Sequence, residues 1–335
     1  MTAVVLSTVR NPSWSRIRHM LAGNPGSVRR PLAFLIVAVI ASSIASSSFL
    51  TVANVKALLT SSSFLVVLAV GEAFVILMGM IDLGVESMLS CAGMLAAWLV
   101  VFHGMAGWEG FLSALAFGLV VGGLVGMLVT RARVPSFVVT LGTYWGLLGV
   151  ALLFNGGNYI TPSENSRTVL FTFGGIANSS FGVSNLIFIT IGIIIVAQLV
   201  LSYTPLGSWV RAVGSNEQAG KAVGLSTRNI KVMAFMISGV LAALAGVMIA
   251  AWQVSIYPTS GSGMSLQAIA GVILGGVPFT GGRGTIVGAA IGALVIGIIN
   301  DIIVLIGLSS NYEYIFVAAI LILAGLQARG GEFVK

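Results

Sequence analysis

Charged side chains are scarce in this sequence. Of its 335 residues only 7% are charged and 57% are hydrophobic, whereas a soluble domain carries about 25% charged residues. A soluble fold of this size would lack the polar surface that keeps it dissolved. Apolar stretches of about 20 residues, enough for one helix to cross a bilayer, recur between short polar loops. The composition predicts an all-α polytopic membrane protein.

The residues that serve redox and metal chemistry are also few. Cys91 is the only cysteine, which excludes an intrachain disulfide, and His19 and His103 have no nearby acidic partner. The sequence has neither a His-Glu-x-x-His zinc pair nor a Gly-x-Ser-x-Gly nucleophile turn. We therefore expect no metal site and no catalytic residue, and an intramembrane enzyme lacks support.

Ten apolar segments predict about ten transmembrane helices. With a cytoplasmic N-terminus, every Lys and Arg except Lys56 and Arg167 falls on the cytoplasmic side, which is the bias of bacterial inner-membrane proteins. This bias explains the net charge of +7 better than nucleic-acid binding does, and it favours two cytoplasmic termini. The predicted spans lie near residues 32–50, 58–78, 88–102, 111–129, 136–154, 184–202, 232–252, 265–277, 286–308 and 312–327.

The N-terminal region resembles a signal peptide only superficially. Its basic part, residues 1–31, carries Arg10, Arg16, Arg18, Arg29 and Arg30. The apolar run that follows, residues 32–50, exceeds the roughly 7 to 15 residues of a signal peptide's apolar region. We predict a cytoplasmic segment (1–31), one transmembrane domain (32–328) and a cytoplasmic tail (329–335).

Glycine spacing predicts close helix packing and an internal repeat. Gly118, Gly122 and Gly126, and also Gly284, Gly288 and Gly292, recur every four residues and are typical of packing seams. The run Ala73–Gly79 matches Ala270–Gly276, with chance similarity as the alternative. Short or interrupted helices at corresponding positions of two repeats often mark a transporter's substrate path. Segments 79–87 and 265–277 fit that description.

The inward loop 203–231 resembles a phosphate-binding loop but lacks its chemistry. Between Gly214 and Gly220 the spacing is one residue too long, and Ala222 replaces the hydroxyl residue that holds Mg²⁺. We do not expect this chain to bind ATP. A short surface helix fits better, with Ser215 and Gln218 as a capping box and Gly224 as its end. Such a helix needs a docked partner to be stable.

Four segments, in this order, resemble one known family. The segment Phe74–Ser87 is close to the family's Gly-Ile-Asp-Leu-Ser-Val-Gly-Ser pattern. The other three are Val134–Thr143, Tyr203–Gly220 and Leu266–Gly288. The chain thus resembles, over nearly its whole length after residue 31, the permease subunits of ribose-type monosaccharide ABC importers, within the branched-chain amino acid/ribose permease superfamily.

The resemblance implies an assembly and a division of labour. Two permease subunits, identical or homologous, would form the pore, a periplasmic sugar-binding protein would deliver a monosaccharide or polyol, and ATPase subunits would bind ATP and Mg. The chain itself would bind no cofactor. Residues 211–224 would be the coupling helix, although a solvated loop is the alternative for any one side chain. Its candidate ATPase contacts are Arg211, Asn216, Glu217 and Lys221.

Ionisable and aromatic residues within the spans are the candidates for the translocation pathway. Ionisable residues in a membrane are functional candidates by default, with an interhelical hydrogen bond as the alternative for Glu72 and Asp82. Glu72 and Glu86 also depart from the family pattern, which leaves the composition of the pore open. Trp252, Gln253 and Tyr257 fit the interfacial belt. The pathway candidates are Glu72, Asp82, Asn300, Asp301, Tyr144 and Trp145.

A rival from another class is a secondary transporter driven by an ion gradient. Such carriers are also built from repeats with broken helices, and the membrane carboxylates Glu72, Glu86 and Asp301 could relay protons or sodium. The energy source distinguishes the two hypotheses.

Overall fold

The computed structural model describes residues 26–161, 179–180 and 182–330, and most of them are helical. Arg10, Arg16, Arg18, His19, Arg167 and Lys335 lie outside the described residues, as do most of the predicted N-terminal segment and tail. The described elements are α1 (Gly26–Ala45), α2 (Val52–Leu77), α3 (Val85–His103), α4 (Gly107–Arg131), α5 (Ser136–Leu153), β1 (Ser179–Ser180), β2 (Val183–Ser184), α6 (Asn185–Tyr203), α7 (Pro205–Ser215), α8 (Glu217–Ala222), α9 (Thr227–Gln253), α10 (Met264–Leu274), α11 (Ile286–Leu305) and α12 (Tyr312–Gly330).

The predicted all-α, multi-pass class is confirmed. Within the described ranges, eight helices are long and apolar enough to cross a membrane, namely α1 to α6, α9 and α11. Two shorter apolar stretches, Met264–Leu274 and Tyr312–Leu323, complete the ten predicted segments. The fold is therefore an all-α, multi-pass membrane protein in which some segments are too short to span alone.

Helix α2 lies at the centre of the molecule. Its N-terminus is capped by the Thr51 side chain, which accepts a hydrogen bond from Asn54 N. From Ser62 to Leu77 every side chain is buried, on all faces of the helix. A helix that is apolar all round belongs inside a bundle. Helices α6, α9, α10 and α11 pack around it.

The first predicted glycine seam joins α4 to α9. A Cβ atom added at Gly118 would overlap the Gly239 carbonyl oxygen, and one added at Gly126 would lie 2.7 Å from Val232 Cα. By contrast, a Cβ at Gly142 of α5 would meet nothing within 4 Å. Small residues let two membrane helices approach backbone to backbone. The prediction of a seam inside the subunit is confirmed.

The second seam is shorter than predicted. A Cβ atom at Gly288 or Gly292 of α11 would overlap the backbone of α10, at Gly275 and Gly271 respectively. Gly284 does not belong to this seam, because α11 begins only at Ile286. Gly284 lies in the preceding loop at φ 131°, packed against Val277. A loop conformation with positive φ, rather than helix packing, explains this glycine.

Helices α2 and α10 end in the same way, at equivalent positions of the internal repeat. They stop at Leu77 and Leu274, and each is followed by a glycine at positive φ, Gly79 at 70° and Gly276 at 87°. The offset that aligns the two sequence runs also aligns these ends, as a duplicated unit would. The closing backbone bonds are Gly79 N to Ile76 O (2.8 Å) and Met80 N to Val75 O (3.2 Å), then Gly276 N to Ile273 O (2.8 Å) and Val277 N to Val272 O (3.2 Å).

The two ends of the bundle differ in charge. Arg133, Lys221, Arg228 and Lys231 surround one cavity, and the loop that carries Arg283 contacts α7 at the same end. At the other end, a bridge of two backbone bonds between Ile160 and Ile256 (3.0 and 3.1 Å) ties the outer loop to the chain after α9. The side of the membrane that each end faces stays a prediction.

Candidate functional site

The segment between α2 and α3 interrupts the helical core and is held by polar contacts. Residues 78–84 run back into the bundle after α2 ends. The Ile81 amide donates to Ser136 Oγ (3.4 Å), and the Thr140 hydroxyl donates to Ile81 O (3.4 Å). Asp82 accepts from Gly84 N (3.0 Å) and from the Ser238 hydroxyl of α9 (3.1 Å). Asp82 therefore joins this break to α9.

The structure brings two predicted pathway residues together. The Asp82 amide donates to Glu72 Oε1 (3.0 Å), and both side chains are buried. Neither carboxylate has a basic partner among the described residues, whose ion pairs both involve Glu217. Glu72 Oε2 has no hydrogen-bond partner there either. These contacts favour the interhelical hydrogen bond, and they leave one buried acceptor oxygen beside the break.

Glu86 connects the two broken segments. Its Oε2 atom accepts from the amide of Ser265 (3.0 Å), in the first turn of α10, and the Ser265 hydroxyl donates to Leu83 O (3.0 Å). Ser90 Oγ accepts from Gly261 N (2.9 Å) nearby. A carboxylate is stabilised at a helix N-terminus, where free amides and the helix dipole are positive. The residue that departs from the family pattern therefore anchors α10 to α3.

Asn300 and Asp301 lie far from this centre. Asp301 Oδ2 accepts from Asn54 Nδ2 (2.9 Å), which links the end of α11 to the start of α2. Asn54 and Glu72 both lie on α2, and at 1.5 Å per residue they are about 27 Å apart along the helix axis. Asn300 Oδ1 is buried without a partner among the described residues. The structure thus separates the predicted pathway residues into two places.

The aromatic candidates also lie in different environments. Tyr144 and Trp145 lie in the middle of α5, in edge-to-face contact at 5.2 Å. Tyr144 interacts with Glu86, whereas Trp145 is 65% exposed on the outer face of the bundle. Trp252 packs on Phe64 near the end of α9, and its place in the interfacial belt stays a prediction. Tyr144 is therefore the aromatic residue that lies at the break.

The predicted coupling helix is two helices. α7 ends at Ser215, Asn216 is extended (φ −160°, ψ 103°), and α8 begins at Glu217. The predicted capping box of Ser215 and Gln218 is wrong: Asn216 caps α8, and its Oδ1 accepts from Ala219 N (3.0 Å). Ser215 cannot cap α8 because it is the last residue of α7. The predicted end at Gly224 is confirmed, with φ 83°.

Glu217 fastens α8 to α9. Its carboxylate pairs with Lys221 Nζ (2.9 Å) and with Lys231 Nζ of α9 (2.7 Å). The hydrogen bonds from these two lysines lower the pKa of Glu217 to about 2. Both predicted contacts, Glu217 and Lys221, are therefore engaged within the chain. Arg211 is partly buried on α7, and this burial lowers the pKa of its guanidinium.

A three-way junction connects α7 to both broken segments. Gly282 N donates to Leu77 O (2.8 Å), at the end of α2. A Cβ atom at Gly214 of α7 would overlap Leu77 O and lie 2.8 Å from Gly282 N. One at Gly281 would lie 2.6 Å from Gly79 N. Three chain segments thus meet backbone to backbone. The sequence did not predict this contact, because Gly214 and Gly282 lie far apart along the chain, one in α7 and one in a loop.

Sequence reasoning missed several residues of the site. Ser238, Ser265 and Leu77 gave no distinct signal: a serine in an apolar span is common, and the Leu77 contact uses only its backbone. Within the residues that the structure describes, no group of three or more His, Cys, Asp or Glu side chains is placed to hold a metal ion. The described part of the site thus consists of polar contacts and close backbone contacts.

Comparison with known proteins assigns the family. The family model for the permease component of branched-chain amino acid transport systems matches residues 54–325. The ribose import permease protein RbsC of Escherichia coli (strain K12) is 36% identical over 78% of this chain and 80% of its own. RbsC of Bacillus subtilis (strain 168) is 33% identical over 89% and 92%.

Another relative belongs to an import system for a different compound. The autoinducer 2 import system permease protein LsrC of Yersinia pestis (strain Pestoides F) is 34% identical over 79% of this chain and 73% of its own. No solved structure gives a significant match. The family match covers most of the chain and every apolar segment after the first. The chain therefore belongs to the family of branched-chain amino acid transport system permease components, as the transmembrane permease subunit of an ABC importer whose ATPase is a separate protein.

Proposed function

We propose that this subunit forms the translocation pore of an ATP-driven importer for a monosaccharide or related polyol in the bacterial inner membrane. The identity to ribose import permeases, over most of both chains, carries this proposal. A periplasmic binding protein delivers the sugar, a second identical or homologous permease completes the pore, and partner ATPase subunits bind ATP and Mg. Membership of an ABC family favours ATP over an ion gradient as the energy source.

The proposed mechanism is alternating access driven through the three-way junction. Docked ATPase subunits move α7 and α8, which lie on the cytoplasmic side in this orientation. Gly214 transmits that movement to the end of α2 and to the loop around Gly282, because their backbones are in contact. The breaks at Asp82 and at the start of α10 then shift together. The permease supplies geometry, and the ATPase supplies the energy.

The ATPase would dock on the exposed surface of α7 and α8. Arg211 and Asn216 remain candidate contacts, and Val223, which is 76% exposed at the end of α8, is an apolar candidate that sequence reasoning missed. Glu217→Arg is a poor test, because it also breaks the pairs that hold α8 to α9. Val223→Glu leaves those pairs intact. We expect Val223→Glu to reduce ATPase co-purification and Glu217→Gln to reduce it less.

Transport by the reconstituted complex tests the function. The tagged chain is purified in mild detergent from its own membranes, its partners are identified by mass spectrometry, and the complex is placed in liposomes. We expect ATP-dependent uptake of a pentose, hexose or polyol. Autoinducer 2 is assayed in parallel, because LsrC is similar to the same extent. A chain that purifies alone, with uptake abolished by a protonophore at constant ATP, would contradict the proposal.

A further inference from the structure

A polar cavity lies on the same end of the bundle as α7 and α8. It has a volume of about 440 Å³ and opens between the turn joining α4 to α5 and the helices α8 and α9. Met80, which belongs to the break after α2, is among the residues that line it. The cavity therefore touches both the proposed coupling region and the broken segment.

Two arginines in this cavity lack an acidic partner. Four cationic side chains line it, against the single carboxylate of Glu217. Lys221 and Lys231 already pair with that carboxylate. Arg133 and Arg228 have no ion pair or side-chain hydrogen bond within the described part of the chain. The lining consequently has an excess of positive charge concentrated in two guanidinium groups.

Two helix N-termini add to this positive charge. α5 begins at the cavity with Pro135 and Ser136, and Arg228 lies in the first turn of α9. Neither helix has a side-chain cap. Uncapped first-turn amides together with the helix dipole attract anions. The guanidinium groups and the helix ends therefore act on the same space.

Backbone geometry keeps one of these arginines in an unusual position. Arg133 has a φ of 57°, one of only two positive values among the described residues other than glycine. An L-residue other than Gly, Asn or Asp pays roughly 1–2 kcal/mol in that region. The turn thus holds an arginine where glycine would be less strained.

We infer that this cavity binds a phosphate group, from an anionic phospholipid of the adjacent leaflet or from a soluble phosphate compound. Arginine forks bind phosphate through paired hydrogen bonds, and a phosphate has enough oxygens to satisfy two of them and helix amides. A single carboxylate would fill little of this volume. The exposed apolar side chains of Leu128 and Phe137 flank the turn that carries Arg133, which suits a lipid tail. The assignment of this cavity to the cytoplasmic side of the membrane rests on the proposed function.

A bound phosphate group would link the α4–α5 turn and α9 to the broken segment after α2. A bound phosphate would draw Arg133 and Arg228 together across the cavity, and these residues lie on the α4–α5 turn and on α9. Because Met80 lines the same cavity, the break after α2 would be held in place at the same time. Transport would then depend on the phosphate compound present.

Binding to the purified chain tests this inference without any transport assay. The ligand is phosphatidylglycerol, titrated into the detergent-solubilised chain and followed by native mass spectrometry, with inorganic phosphate as the soluble competitor. The variants are Arg228→Gln and the double variant Arg133→Gln with Arg228→Gln. Arg131→Gln is the matched control, because Arg131 is the last residue of α4, close to Arg133 in the chain, and does not line the cavity.

We expect the double variant to bind at least about tenfold more weakly, from the loss of charge-assisted hydrogen bonds, and the control to bind as the unmodified chain does. Weak competition by inorganic phosphate would identify the lipid as the source, and strong competition a soluble phosphate compound. Equal binding by the double variant and the control would overturn the inference. Unchanged lipid binding by the double variant, combined with loss of ATPase co-purification, would also overturn the inference. The cavity would then bind carboxylates of a protein partner. A failure of sugar transport alone affects only the proposed function.

Discussion

Replacement of Gly214 by alanine tests the junction between α7 and the broken helices. The added methyl group would overlap the Leu77 carbonyl oxygen and lie 2.8 Å from Gly282 N. Gly282 N also donates to that carbonyl (2.8 Å), so the methyl group would enter the space of an existing hydrogen bond. Helix α7 must withdraw from α2 to accommodate it.

The size of the effect follows from these contacts. Forcing a methyl group into a packed site costs about 1–3 kcal/mol, and losing the Gly282 to Leu77 bond costs about 1 kcal/mol more. The native junction would thus be disfavoured by about 2–4 kcal/mol, or roughly thirtyfold to several hundredfold in its population. The rest of the fold should persist, because Gly214 lies at the edge of the bundle.

The assay compares ATP hydrolysis with sugar uptake in liposomes containing the full complex. For Gly214→Ala we expect basal hydrolysis to continue while uptake falls at least tenfold, since the ATPase would still dock but would no longer move the breaks. Gly220→Ala is the matched control, because its methyl group would lie 3.4 Å from the nearest atom, Val213 Cγ2. Wild-type uptake per ATP by Gly214→Ala would refute the reasoning.

Three further predictions concern the carboxylates. Glu72→Ala should lower the stability in detergent by about 1–3 kcal/mol, because it leaves the buried amide of Asp82 without its hydrogen-bond acceptor. Glu72→Gln should keep this hydrogen bond, so equal melting temperatures of the two variants would contradict the prediction. Asp301→Asn should assemble normally, since an amide oxygen can still accept from Asn54, and should slow sugar uptake; unchanged uptake would remove Asp301 from the pathway. Because the folded pKa of Glu217 is depressed from 4.5 to about 2, the stability that its ion pairs contribute should be constant from neutral pH down to about 4.5. It should be lost as the pH falls from there towards 2, and hydrogen exchange in α8 should rise only in that window.

The sequence predicted the spans well because long apolar runs and loop charges are local signals. The ends of α2 and α10 were also recognisable, since each needs a glycine at positive φ and the two lie at matching positions. The contacts of the site were not predictable in this way. Glu86 meets Ser265 only because α10 begins inside the bundle, and no local pattern shows how deep a helix begins. The cap of α8 was missed because Ser215 and Asn216 are both good capping residues, and only the end of α7 decides between them.

The seam between α4 and α9 bears on how the subunit can move. Interlocked side chains resist sliding, because each one sits in a pocket formed by its neighbours. Gly118 and Gly239 present almost smooth backbone to each other, so a small translation along the helix axes would disrupt few side-chain contacts. Packed helices commonly accommodate functional change by such shear.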